Sequence, residues 1–129
     1  FRTRSAAVAR WMEQSFRRAR ESKLLAIVLF MQANPWAAPT GRYFGYRELI
    51  AALAKETFAY DGEVLLVHGD THRFRVDSPL RDPATGGPLA NFTRVEVFGS
   101  PAMNWVRIRV TNDAGRIGFE VTPGIPSTQ

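Results

Sequence analysis

The stretch Glu63-Val64-Leu65-Leu66-Val67-His68-Gly69-Asp70-Thr71-His72 decides how this chain is read. Residues 63–68 are an apolar run with no polar alternation, the pattern of a strand buried on both faces of a parallel sheet. The run ends in a glycine and a polar cluster. His68, Asp70 and His72 are therefore expected at the strand's C-terminal end, where open α/β sheets bind their ligands. In extended chain these three positions point to one side. Imidazole and carboxylate together suit Zn, Fe, Mn or a similar divalent ion.

Working outward, Leu24 to Gln32 (LLAIVLFMQ) is a second unbroken apolar run and reads as another strand buried on both faces. Between the two runs, Tyr46 to Phe58 has helical spacing, with Tyr46, Leu49, Ile50 and Leu53 on one side. Strand, helix and strand in this order make a βαβ unit. An amphipathic helix precedes it from Ser5 to Ser22, with Val8, Met12, Phe16 and Ala19 on its apolar side. Ala33-Asn34-Pro35-Trp36 and Pro39-Thr40-Gly41 break the pattern after the first strand, so Gln32 to Trp36 should lie beside residues 68–72. The second half alternates over Arg73–Asp77, Thr93–Phe98, Asn104–Thr111 and Arg116–Val121. A Pro/Gly-rich loop spans Pro79–Asn91, and Asn112-Asp113-Ala114-Gly115 is a hairpin turn. The expected fold is α/β with an α+β tendency: one domain over residues 1–129, a βαβ unit followed by antiparallel strands.

Composition removes several classes. With 129 residues, 45% apolar and 22% charged, the chain has the make-up of one globular domain. The absence of Cys excludes thiolate catalysis, zinc fingers and Cys-ligated clusters, and fits either redox compartment. The longest apolar run, Leu24 to Met31, is eight residues, against about 20 for a membrane span. The net charge of +5 comes from 17 basic and 12 acidic residues. The arginines are dispersed along the chain and no nucleic-acid module signature occurs, which argues against a dedicated nucleic-acid surface. There is no Gly-x-Ser-x-Gly elbow, and Gly86-Gly87 lacks the Gly-Lys-Ser/Thr of a phosphate loop. Asn91-Phe92-Thr93 fits a glycosylation sequon, a short match that is common by chance.

Val64-Leu65-Leu66-Val67-His68-Gly69-Asp70-Thr71-His72 resembles the last block of the calcineurin-like metallophosphoesterases, in which an apolar strand runs into Gly-His-x-His. Met31-Gln32-Ala33-Asn34-Pro35-Trp36 resembles the preceding block, where a strand ends in a metal-binding His with a Pro shortly after. The likeness extends from about Leu24 to Val121 and implies the C-terminal half of that family's sandwich. His72 matches a family ligand outright, whereas Gln32 and Asp70 stand where the family has His. The family's earlier Asp-x-His, Gly-Asp and Asn-His-Asp/Glu blocks are not in this sequence.

The resemblance thus implies a C-terminal piece of a longer metal-dependent phosphoesterase, inactive alone, with divalent metal ions held in the intact protein. His72, Asp70 and His68 are the metal-ligand candidates. Gln32, Asn34, Trp36 and Thr71 would touch substrate or metal-bound water, or hold the ligands in place. The implied partners are a phosphate ester and either the N-terminal half of the same polypeptide or a second copy, packed on an exposed apolar face. The alternative is a non-catalytic α/β interaction or oligomerisation domain.

Overall fold

The computed structural model describes residues 2–37 and 46–125, with side chains from residue 6 onward in the first helix. The expected Pro39-Thr40-Gly41 break lies outside the described residues. The elements are α1 (Arg2–Glu21), β1 (Ala26–Phe30), α2 (Arg47–Phe58), β2 (Glu63–His68), β3 (Arg75–Asp77), β4 (Phe92–Glu96), β5 (Trp105–Asp113) and β6 (Arg116–Gly124). They form a four-stranded sheet in the order β1-β2-β4-β3 and a two-stranded sheet of β5 and β6.

The βαβ unit is present. β1 pairs parallel with β2, Ala26 opposite Glu63 and Phe30 opposite Val67. α2 connects the two, and its Leu53, Leu49 and Ile50 join the core as their spacing requires. α1 buries Met12, Phe16 and Ala19 in the same core, where Phe16 meets Tyr60 edge-to-face at 5.8 Å between ring centroids. Arg20 of α1 pairs with buried Glu56 of α2 at 2.9 Å. On the opposite face of the sheet, Leu65, Val67 and Val95 are covered by Val106, Ile108, Phe119 and Val121 of the β5–β6 hairpin. The molecule is therefore layered as helices, mixed sheet and hairpin.

Three expectations change. The first strand is shorter than Leu24–Gln32 and is not buried on both faces: Val28 is 40% and Phe30 76% exposed. The helix exit takes up Leu24, whose N–H bonds back to Ala19, and the hairpin covers β2 and β4 while leaving the same face of β1 open. Val8, expected in the core, is exposed beside Trp11 at the rim of an apolar cleft of about 110 Å³ between α1, β1 and α2. The third change is β4. It was expected among antiparallel strands but pairs parallel with β2, Val64 opposite Phe92 and His68 opposite Glu96. The chain can return in that direction because β3 first runs antiparallel along β4's outer edge and residues 78–91 then carry it back. In that connection Leu80 and Leu89 are buried in the helical-side core.

The hairpin behaves as expected, with strands longer than the alternation alone indicated. Asp113 pairs with Arg116 across a two-residue turn in which Ala114 and Gly115 both have positive φ, 50° and 87°. The Asn91 sequon is sterically committed. Its amide nitrogen donates toward the carbonyls of Thr57, Tyr60 and Gly62 at 2.8–3.1 Å, so the side chain ties the α2–β2 connection to β4 and is not free for a glycan.

α1 ends in a Schellman motif: Leu24 N–H to Ala19 C=O at 2.9 Å and Lys23 N–H to Arg20 C=O at 3.1 Å. The residue that must turn left-handed is Lys23, at φ 51°, where glycine carries no Cβ penalty. Lys23→Gly is expected to raise stability by about 0.5–1 kcal/mol. In urea unfolding this would be read as a higher midpoint at unchanged slope.

Candidate functional site

The parallel strands β1, β2 and β4 end on the same edge, and the ladder continues past them. Met31 N–H bonds to Val67 C=O, Gly69 N–H to Gln32 C=O, and Val97 N–H to His68 C=O. These bonds draw the 31–37 and 69–74 loops together over the end of the sheet.

Asn34, 4% exposed, joins the two loops. Its backbone N–H donates to Asp70 Oδ2 at 3.1 Å, and its side-chain Oδ1 accepts from Trp36 N–H at 3.0 Å. Its Nδ2 donates to Thr71 Oγ1 at 3.1 Å and lies 3.5 Å from Glu96 Oε2. The Thr71 hydroxyl in turn donates to Glu96 Oε1. Asn is specified here because both ends of its amide are used in a buried setting, one as acceptor and one as donor.

The expected one-sided array of His68, Asp70 and His72 does not form. The chain leaves the extended conformation after β2: Asp70 and His72 adopt φ of 84° and 59°. Positive φ at a non-glycine residue costs of order 1–3 kcal/mol and persists only where the surroundings enforce it. The three side chains diverge. His68 is buried on the helical side of the sheet, its Nδ1 2.9 Å from the Gly69 carbonyl and its ring 6.4 Å from Trp36. Its Nε2 has no partner among the described residues. Asp70 points at the Asn34 backbone. His72 is exposed and turns toward the segment after β4, its Nδ1 2.7 Å from the Ser100 carbonyl.

A carbonyl oxygen can only accept, so Nδ1 of His72 carries a proton, and in the neutral ring Nε2 is then the acceptor. Gly99 makes room for this ring: a Cβ there would fall 2.2 Å from His72 Cδ2. Among the described residues no group of three or more His, Cys, Asp or Glu stands together as a metal cage. His68, Asp70 and His72 thus do not form such a group with one another.

Of the remaining candidates, Asn34 and Thr71 are brought together, and Trp36 lies close by. Its ring packs 6.3 Å from Phe92, and the Arg94 guanidinium stands over it at 4.9 Å. Gln32 is exposed, and its backbone carbonyl holds Gly69.

The sequence reading missed Arg94 and Glu96, which are 2% and 0% exposed. Arg94 forms a forked pair with Asp77 of β3, Nε to Oδ1 at 2.6 Å and Nη2 to Oδ2, while its Nη1 is buried without a partner among the described residues. The sequence marks Thr93–Phe98 only as alternating, and alternation by itself does not say which face is covered. Phe92, in phase with both, was the signal that this face is covered.

No family model, curated protein or solved structure matches the chain. The class it occupies is the one its fold defines: a mixed α/β domain with a three-stranded parallel core, an antiparallel edge strand and a covering hairpin.

Asn34→Asp would set a second carboxylate oxygen against Glu96 and remove the donor to Thr71. A loss of about 2–3 kcal/mol is expected, since a buried acceptor is left unpaired beside a like charge. Urea unfolding, with Asn34→Ala for comparison, should rank Asp as the worse replacement.

Proposed function

We propose that this chain is the C-terminal part of a calcineurin-like metallophosphoesterase and that His72 is the ligand it contributes to a metal centre completed by residues outside those described. The observation that carries the reading is the posture of His72. Its Nδ1–H is tied to a backbone carbonyl and the ring rests on a glycine, and such fixing through one ring nitrogen is how metal-binding histidines are ordinarily held. The left-handed backbone at Asp70 and His72 supports the same view, because such strain concentrates at functional loops. Divalent Mn, Zn or Fe in such a centre supplies charge neutralisation and an activated water for attack on a phosphate ester. Asn34 and Thr71 hold the loop, and Asp70 is the nearest substituted ligand. His68, buried and directed away, serves the packing beneath.

The partner is a further segment of the same polypeptide or a second copy. The uncharged β1 edge with its exposed Val28 and Phe30, and the exposed Trp11 of α1, support this, since an apolar edge strand unpaired among the described residues invites pairing or cover. The same surface favours the second reading, a non-catalytic interaction domain. No described helix is long and apolar enough to cross a membrane.

The test is hydrolysis of bis(p-nitrophenyl) phosphate with added Mn or Zn by the polypeptide as its gene encodes it. Metal-dependent turnover is expected, falling about 100-fold or more in His72→Ala, and residues 1–129 alone should give none. A folded full polypeptide without metal-dependent turnover, or one indifferent to His72→Ala, would leave the interaction domain as the reading that stands.

A further inference from the structure

Glu96 ends β4 with no exposure, and a carboxylate removed from water is costly unless its oxygens are met. They are met from three directions. Oε1 takes the Thr71 hydroxyl from the loop after β2, while Oε2 faces Asn34 Nδ2 from the loop after β1 and, at 3.8 Å, Arg75 Nε from β3. Thr71 is the residue between the two left-handed positions, Asp70 and His72. Asp70 is held by the backbone of Asn34 in the neighbouring loop and His72 by the Ser100 carbonyl, the latter contact exposed. The anchor that reaches into the buried sheet is the Thr71–Glu96 bond.

We infer that Glu96 is a positioning residue: by holding the Thr71 hydroxyl it keeps residues 69–72 in the conformation that lays the His72 ring on Gly99 with Nδ1 on the Ser100 carbonyl. The inference rests on His72 being the working group of the site, and it acts through Thr71 without any contact between Glu96 and substrate. When the bond is lost, the left-handed backbone relaxes, His72 leaves the Ser100 carbonyl, and its ring returns to the equilibrium of a free imidazole in water, in which the Nε2–H tautomer predominates.

The ring nitrogens report this directly. Two-dimensional 1H–15N spectra of the histidine side chains would be recorded on the chain at about pH 8, where an imidazole with an ordinary pKa of about 6.5 is neutral. Wild type should show His72 as the Nδ1–H tautomer. Thr71→Val, which removes one hydroxyl from an exposed residue, and Glu96→Met, of similar length with no acceptor, should both shift His72 to mainly Nε2–H. Thr71→Ser and Glu96→Gln, which keep donor and acceptor, should retain the wild-type tautomer. A purely structural Glu96 would lower the melting temperature without this pattern. Wild-type His72 found as Nε2–H, or a folded Thr71→Val that keeps Nδ1–H, overturns the inference whatever Glu96→Met does. If the tautomers shift as expected while His72→Ala leaves hydrolysis by the full polypeptide intact, the positioning role stands and the phosphoesterase reading falls.

Discussion

Strand β2 is paired on both edges and covered on both faces, and the rest of the molecule is arranged around that burial. Val64 and Leu66 face the helices, Leu65 and Val67 face the hairpin, and none of the four is more than 8% exposed. Between Glu63 at its start and His68 at its end such a strand has nowhere to place a polar side chain. The polar positions that follow this apolar stretch therefore arise together at its C-terminus, beside the ends of β1 and β4. The clustering of His68, Asp70, Thr71 and Asn34 is a consequence of β2's burial.

At that end the sheet changes from an apolar to a polar interior. Leu66 lies opposite Arg94 and His68 opposite Glu96, so one face passes from hydrocarbon to polar side chains within two residues along each strand, Leu66 to His68 and Phe92 to Arg94. A buried arginine and a buried glutamate are tolerable only with partners, because desolvation outweighs a single imperfect contact. Asp77 takes Arg94 through a two-point pair, and Thr71, Asn34 and Arg75 gather on Glu96. The short β3, all three of whose residues are exposed, matters to the fold chiefly because it carries Asp77 and Arg75 to these charges.

The loop above this interior holds two non-glycine residues in left-handed backbone, and its neighbours enforce it from several sides. His72 is oriented by a carbonyl and seated on a glycine.

Much of this was legible in the amino-acid sequence. Unbroken apolar runs, helical spacing at Tyr46–Phe58 and the Ala114-Gly115 turn determine the βαβ unit, the two helices and the hairpin, because periodicity and turn chemistry are local properties. The location of the polar cluster follows from them. Tertiary structure alone decided the rest. That β1 is an edge with Phe30 in the open depends on where a hairpin some 80 residues later comes to rest. That β4 runs parallel depends on a return path through residues 78–91, which local alternation does not encode. That Arg94 and Glu96 are buried depends on Asp77, Asn34 and Thr71 meeting them from other strands. The direction of His72 was decided in the same way, since only the fold brings Ser100 and Gly99 beside it and turns the backbone at positions 70 and 72 out of the extended form on which a one-sided array relied.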